Sequence, residues 1–464
     1  MFIQKFIFLG GFFLASLSVL ATQHDSGDTK PNIVIILADD LGFADVGFNG
    51  GKDIKTPNID KLAAAGARLE QFYVKTLCSP TRAALMTGRY PMRHGLQTGV
   101  IRPWAQHGLP LNERTLPQAL KEVGYVTALT GKWHLGHFDP AYLPTRRGFD
   151  FQYGHYNGAI DYFKLDRSGG HDWHRNDMPS YDKGYSTHLI ASDAVQFIQE
   201  SKKPFFLFVS FNAVHSPYQV PQKYVTPYTH LQEPRRTYAG MLAAMDEGIG
   251  QIINAIDAKG LSKNTIVIFS SDNGGPLPGK VTDNGSLRAG KSTLYEGGVR
   301  VAASIAWNSK IKAGSIISTP LHIVDLYPTL LEIAGAKLIQ DLPIDGTSAF
   351  EILTQKRSGS KREILLNATP NTGAIRYGDW KLIVNGMIDS HEDDGMIRAP
   401  SEASIELFNI ADDPSEKYNL VEQRPEVVKD LRARYDKLAA QAITPKASPR
   451  PVDFKVPKVW GVQK

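Results

Sequence analysis

Four short polar clusters each follow an apolar run, and their side chains are those of acid, base and cation chemistry. Asp39-Asp40 follows Asn32 to Ala38, Lys132-x-His134 follows Tyr125 to Thr130, His215 follows Phe205 to Phe211, and Asp272-Asn273 follows Thr265 to Ser271. Runs this rich in Ile, Val and Phe read as strands covered on both faces of a parallel sheet. In open parallel α/β sheets ligands bind beyond the C-terminal strand ends, so clusters placed there converge. Taken singly, each has a plainer reading: Asp-Asp and Asp-Asn-Gly are ordinary turn sequences, and His215 before Ser-Pro is equally a satisfied loop histidine. Taken together, Asp39, Asp40, Asp272 and Asn273 offer only oxygen ligands, which suits a hard dication. Ca²⁺ is favoured over Mg²⁺ because it tolerates an irregular oxygen shell. Carboxylates crowded together without a cation repel one another and raise a pKa.

A fifth segment supplies a different chemistry. Cys78-Ser79-Pro80-Thr81-Arg82 runs into Ala83 to Gly88, and Pro80 suits the first turn of a helix that Cys78 precedes. Arg82, four residues on, shares its face, so an anion beside residue 78 meets free backbone N–H groups and a guanidinium. Lys132 and His134, two apart in extended chain, point the same way. The set reads as a pocket that neutralises a tetrahedral oxyanion. Cys78 is the only cysteine, so no disulfide partner exists within the chain. It is a buried small hydrophobe, an intermolecular bridge or a chemically employed group, and its neighbours favour the last.

The elements that must position these groups alternate between strand and helix. Thr56-Pro57 opens a helix carrying Ile59, Leu62, Gly66 and Leu69 on one face; Thr115 opens another, ending at Gly124; Thr319-Pro320 opens a third through Leu331. This predicts an α/β fold, a large mainly parallel or mixed sheet sandwiched by helices. Beyond about Thr354 come strand-like segments at Ile364 to Asn367, Ala374 to Ile383 and Glu406 to Phe408, and a helix from Pro425 to Gln441. They predict a smaller C-terminal α+β subdomain over 356–464, with a tail from Thr444, after a catalytic unit over 22–355.

Composition bounds the class. With 464 residues, 42% hydrophobic, 21% charged and a net charge of +5, the chain is a folded globular protein with no charge signature for nucleic acid. Residues 1 to 21, MFIQKFIFLGGFFLASLSVLA, join one Lys to an apolar run and a small-x-small close at Val19-Leu20-Ala21, predicting an export signal cut after Ala21. No basic stop-transfer cluster follows, so no stable membrane anchor is expected. The expected location is periplasmic or secreted, and the short signal and missing disulfides favour a bacterium.

The sequence resembles the type I sulfatases of the alkaline phosphatase superfamily. Their signature Cys-x-Pro-x-Arg with a following Thr-Gly stands complete as CSPTRAALMTG, and the second signature is intact as GYVTALTGKWH, Gly124 to His134. LPTRRGFD (Leu143 to Asp150), SDNGG (Ser271 to Gly275) and GKSTLYEGGVR (Gly290 to Arg300) extend the likeness from Pro31 to Ala336. The arylsulfatase B, or N-acetylgalactosamine-4-sulfatase, group is the most similar through LPTRRGFD and the tyrosine-rich stretch after it. One departure follows Arg300, where the usual Val-Pro is Val301-Ala302.

The resemblance implies that Cys78 is oxidised to Cα-formylglycine by a formylglycine-generating or anaerobic sulfatase-maturating enzyme, and that its hydrate attacks the sulfur of a sulfate ester. It implies that Asp39, Asp40, Asp272 and Asn273 hold Ca²⁺, with Asp272 as base for the nucleophile. Arg82 and Lys132 hold the formylglycine and the sulfate. His134 accepts the second hydroxyl's proton, and His215 and Lys291 flank the leaving oxygen, with His215 favoured as general acid. The substrate implied is a sulfated galactose or N-acetylgalactosamine unit of a polysaccharide such as carrageenan, chondroitin or dermatan sulfate. Tyr153 to Phe163 and Gly170 to Arg175 are expected either to line a sugar subsite or to be surface packing; His94, His155 and Arg102 are further candidates without a motif. A phosphate-ester hydrolase on the same fold and an inactive glycan-binding relative are the alternatives.

Overall fold

The computed structural model describes Met1 and residues 30–338, 341–359, 361–369, 372–386, 389–390, 397–398 and 404–461. The expected export signal lies outside these residues apart from Met1. Ten strands build the central sheet: β1 (Asn32–Ala38), β2 (Ala67–Leu69), β3 (Val126–Lys132), β4 (Phe151–His155), β5 (His174–Arg175), β6 (Met178–Pro179), β7 (Phe205–Ser210), β8 (Thr265–Ser271), β9 (Ala303–Ala306) and β10 (Ser315–Ile317). Their spatial order is β10-β2-β9-β8-β1-β7-β3-β4-β5-β6. The middle five, β8-β1-β7-β3-β4, are parallel; β9 beside β8 and β5 beside β4 are antiparallel, so the sheet is mixed as expected.

Register decides where the chemistry lands. Ala38 pairs with Ser271, Leu37 with Ser210, and Ser210 with Gly131. The next residues, Asp39 and Asp272 just past their strands and Lys132 at the end of its own, therefore lie along one edge of the sheet. Gly131 permits the last of these pairings: its φ is +110°, and a Cβ there would lie 1.9 Å from the Ser210 carbonyl oxygen.

Among the described residues, seven α-helices of six residues or more cover the sheet and the C-terminal strands: α1 (Pro57–Ala64), α2 (Cys78–Thr87), α3 (Leu116–Lys121), α4 (Ser186–Glu200), α5 (Arg235–Ala258), α6 (Leu326–Ala334) and α7 (Pro425–Ala439). Strand alternation divides the core. Ile33, Ile35 and Leu37 pack with residues of α2, α3 and α6, while Val34 and Ile36 pack with residues of α1, α4 and α5. β1, β7 and β8 are buried along their whole length, which is why they read as continuous apolar runs. Among the described residues no helix is long and apolar enough to cross a membrane.

Several local expectations need correction. The helix from Pro57 stops at Ala64, and Leu69 belongs to β2. Gly66 lies where a Cβ would sit 2.1 Å from the Ile305 carbonyl oxygen, so it serves the approach of β9 and not a helical face. The third helix begins at Leu326, after a short strand Leu321–His322 and a single 3-10 turn in which His322 and Asp325 cap reciprocally. Thr115 does cap α3, through a Gln118 box. The segment Ala374 to Ile383 is two strands.

A small antiparallel sheet follows, β11 (Glu363–Ala368), β12 (Gly373–Tyr377), β13 (Trp380–Val384) and β14 (Ile405–Asn409), in that order. The buried Lys75 ammonium ties it to the core, donating to the carbonyls of Leu365 at 2.7 Å and Leu366 at 3.0 Å. Beyond α7 the chain doubles back over the residues that follow α2 as an extended strap. Ile443 N–H donates to Met92 O, Lys446 N–H to Gly95 O, and Trp104 Nε1 to Ser448 O at 2.6 Å.

Candidate active site

Cys78 is the first residue of α2, following Leu77 at the N-cap, and not a residue ahead of the helix; Pro80 accordingly sits at the third position. The consequence survives the correction, because residues of the first turn present free N–H groups whichever of them is first. Every residue of α2 is buried. Ser79 fastens the helix start to its surroundings: its hydroxyl donates to His134 O at 2.9 Å and accepts from Ile101 N–H at 3.1 Å.

The strand-end groups meet around Cys78. Its thiol lies 3.5 Å from Asp39 Oδ1, and Asp39 is ion-paired to Lys132. Arg82 reaches back along the helix face and grips Asp272 Oδ2 through Nε at 3.2 Å and a terminal nitrogen at 3.0 Å, while donating to Lys132 O and the Ser210 hydroxyl. Asp40 accepts from Lys291 Nζ at 2.8 Å and from Asn273 Nδ2 at 2.7 Å, and His215 Nε2 lies 3.5 Å away. Asp40, Asp39, His215 and Cys78 thus crowd together, one ligand atom from each lying within 4.8 Å of the others.

The electrostatics follow from packing three carboxylates with three cations out of water. Burial and the neighbouring Asp39 charge push the Asp272 carboxyl up to about 6, against Arg82 and Lys132. Burial also acts on Asp40, but there Lys291 and His215 outweigh it and hold the carboxyl well below the usual range. Burial pushes His215 down to about 4, with Lys291 and Lys132 adding to it and Asp40 opposing. The Cys78 thiol is pushed far up by burial, so little thiolate forms at neutral pH. His134 sits below the usual range, first through burial and then through Lys132 and Arg82.

The donor set fits a hard cation. Asn273 is fully buried, and its amide nitrogen is directed by two acceptors, Asp40 Oδ1 and Gly274 O at 3.0 Å. That orientation leaves Asn273 Oδ1 buried without a hydrogen-bond partner. An orphaned carbonyl oxygen beside clustered carboxylates is a ligand set for Ca²⁺ or Mg²⁺. The set within 4.8 Å shares Asp39 and Asp40 with the expected one; Asp272 instead turns one oxygen toward Arg82 and the other toward Asp40 N–H.

His134 reaches the site by a route other than the one expected. Its φ of 59° breaks the extended spacing from Lys132. Lys132 points at Asp39, whereas His134 swings to put Nε2 3.1 Å from Ile101 O. Gly158 makes room for the ring, since a Cβ there would lie 2.5 Å from it. His134 Nδ1 is buried and unpartnered.

Cys78, His134, His215 and Lys291 open into one cavity of about 1010 Å³. Of the looser candidates, Arg102 lines it, whereas His94 and His155 are buried elsewhere. From Tyr153 to Phe163 only Gly158 and Ala159 reach it. Tyr153, Tyr156 and Tyr162 are packed inside, the last with its hydroxyl on the carbonyls of Asn212 at 2.6 Å and His215 at 2.7 Å. What sequence reasoning missed is the strap: Arg450, Phe454, Val456 and Trp460 form part of the cavity wall.

A buried cysteine at a helix start, clamped by paired carboxylates and cations at the edge of a mixed α/β sheet, suits a hydrolase for a tetrahedral oxyanion ester. The sulfatase family model matches residues 31–336. Arylsulfatase J of Mus musculus is 37% identical over 484 residues, covering 94% of this chain and 81% of the relative. N-acetylgalactosamine-6-sulfatase of Mus musculus is 32% identical over 449 residues, covering 88% and 85%. The structure of Ps i-CgsB in complex with k-i-k-neocarrahexaose superposes with a TM-score of 0.81 at 33% identity, over 90% of this chain and 95% of that one. The chain belongs to the sulfatase family, as a type I sulfatase of the alkaline phosphatase superfamily. It is a sulfuric ester hydrolase.

Proposed function

We propose that this sulfatase is exported and removes sulfate from a galactose or N-acetylgalactosamine unit of a sulfated polysaccharide or its oligosaccharides, of the carrageenan or chondroitin and dermatan type. The observation that carries the reading is the placement of Cys78. It stands between a carboxylate cluster and a cavity whose wall contains Lys291, His134, His215 and three arginines and, among the described residues, no Asp or Glu. Such a wall admits anions. The likeness to Ps i-CgsB, solved with a carrageenan-type oligosaccharide, supports the sugar class. The catalytic unit spans 22–355, and the C-terminal unit 356–464.

Cys78 matured to Cα-formylglycine supplies a geminal diol as nucleophile, the role a buried thiol with a raised pKa fills poorly. Asp39, Asp40, Asp272 and Asn273 would hold Ca²⁺, which would supply Lewis-acid stabilisation of charge on the sulfate oxygens. The remaining work falls to the chain. Arg82, anchored on Asp272, fixes the helix start, and Lys132 offsets the charge of Asp39 beside residue 78. Asp272 takes the proton of the attacking hydroxyl. His134 donates Nε2–H to Ile101 O, which leaves the Nδ1 lone pair to accept the second hydroxyl's proton. His215 and Lys291, both beside Asp40, flank the leaving oxygen, and one of them returns its proton.

The test is sulfate release, followed by ion chromatography, from defined sulfated oligosaccharides and an aryl sulfate, using protein co-expressed with a formylglycine-generating enzyme. Peptide mass at residue 78 is read on the same sample. The expected result is an aldehyde at residue 78 and sulfate from a galactose or N-acetylgalactosamine position. An active enzyme with an intact thiol, or one releasing phosphate in place of sulfate, overturns the reading.

A further inference from the structure

The cavity holds more positive charge than one sulfate ester needs. Lys291 lies beside the reacting position, but Arg102, Arg167 and Arg450 line other parts of the same wall. At about 1010 Å³ the cavity is at the top of the usual range for ligand sites, roughly 300–1,000 Å³. Arg450 is the most telling of the three. It is exposed, comes from the strap, and pairs with no carboxylate among the described residues. Its guanidinium lies 5.5 Å from the Trp104 ring centre and 5.8 Å from that of Phe454. Those rings meet edge to face at 6.0 Å, and Phe454 stacks on Trp460 at 6.3 Å.

Two properties follow. A guanidinium steadied by aromatic faces keeps its fork of N–H donors open, and that fork matches the oxygens of a sulfate. Half-buried rings beside it offer an apolar surface to the C–H face of a sugar. The strap that carries them is secured by long-range contacts: Trp460 Nε1 donates to Arg167 O at 3.1 Å, Trp460 N–H to His171 O at 2.9 Å, and the Ser448 hydroxyl bonds His107 Nδ1 at 3.1 Å.

We propose that Arg450, with Trp104 and Phe454, forms a subsite that binds the sulfate of a second sugar residue, so that the substrate is an oligosaccharide carrying at least two sulfate esters. The proposal rests on the reading of the protein as a polysaccharide sulfatase and assigns the strap as its specificity element. The bond cleaved remains the one beside residue 78, and the second sulfate is bound and released unchanged.

The test pairs a residue with a ligand group. Binding is measured by calorimetry on the Cys78→Ser protein, with a carrageenan-type tetrasaccharide bearing two sulfates and with its monosulfated counterpart. Wild-type strap should bind the disulfated ligand at least about tenfold more tightly, as expected for a charge-assisted hydrogen bond. In Arg450→Met, which keeps an apolar stem against Trp104, the ratio should fall close to one. An unchanged ratio, equal losses on both ligands, or no binding of either overturns the subsite. Sulfate release by the matured wild-type enzyme is read separately, so a failed subsite and a failed sulfatase reading give different results.

Discussion

The two walls of the active-site cavity are built on opposite terms. The inner wall consists of strand ends and the start of α2: Asp39, Asp40, Cys78, Lys132 and Asp272 are all buried, and each has a partner from a distant part of the chain. The outer wall is an extended strap, exposed at Arg450 and Val456 and half-buried at Phe454, with Trp460 its buried anchor. Preorganised charge belongs in the first, where low dielectric strengthens it and fixed dipoles need not reorganise. Tolerance to change belongs in the second. On the proposed function the chemistry falls to the first wall and the choice of substrate to the second, and mutations should separate them.

The largest effect is expected at the inner wall. Lys132→Met removes the cation paired with Asp39 and should lower sulfate release by about 10²–10³-fold, the usual cost of losing a charge-stabilising donor. The loss should be equal on an aryl sulfate and on an oligosaccharide. Rates measured on both decide it; a loss confined to the oligosaccharide would move Lys132 from chemistry to substrate choice. Next in size is the cation site. Calcium added to metal-stripped protein should raise Tm, since binding to the folded state alone contributes about 2.7 kcal/mol at 100 times Kd. Asn273→Ala should raise the calcium concentration needed by at least about tenfold, the cost of losing even an outer partner of a metal site. A Tm indifferent to calcium in both proteins would remove the cation from this wall.

At the outer wall the expected effects are smaller and selective. Trp460 is 3% exposed and makes an edge contact with His137 at 5.4 Å. Trp460→Ala removes a large buried side chain, a truncation that costs about 3–5 kcal/mol in a core. The strap joins its neighbours through the isolated bridge His171–Val459 and scattered hydrogen bonds and not as a strand of the central sheet, so the loss should free its Trp460 end and leave the sheet folded. Trypsin should then cut after Lys455 and Lys458 faster than in wild type, and KM should rise for the oligosaccharide and not for the aryl sulfate. Equal changes on both substrates would tie the strap to the chemistry.

The same contrast explains what was legible in the sequence. β1, β7 and β8 are buried on both faces, so their composition names them, and the polar residue after each must lie at the shared edge once the order is parallel. Helices α4 and α5 carry no start signal of the kind that marked α1 and α3: neither has a Thr N-cap followed by a Pro in the first turn, and they pass unremarked in the sequence. Asp39, Lys132 and Asp272 were legible because each ends or directly follows a strand, and Cys78 because it starts a helix; Lys291 lies in a loop outside both and entered only through the family resemblance. His134 is the partial exception, placed by a left-handed backbone that its spacing from Lys132 does not reveal. The strap was illegible for another reason. Its meaning lies in partners some 300 residues away, such as Trp104 for Ser448 and Arg167 for Trp460, and nothing local in a Pro- and Lys-rich tail encodes a cavity wall.

The smallest expected effect tests the converse, that aromatic richness in a loop does not make a sugar wall. Tyr153 stands in the most aromatic stretch of the chain, yet it is 4% exposed, packs edge to face on Trp173 at 5.2 Å and lies under the Arg175 guanidinium at 4.1 Å. Its hydroxyl donates to Asp182 Oδ2 at 2.8 Å. Tyr153→Phe keeps every ring contact and loses that single hydrogen bond, worth about 0.5–1.5 kcal/mol. A slight fall in Tm with kcat/KM unchanged on both substrates is therefore expected. A rise in KM restricted to the oligosaccharide would return this loop to the cavity and weaken the assignment of substrate choice to the strap, because two walls would then discriminate where one is proposed.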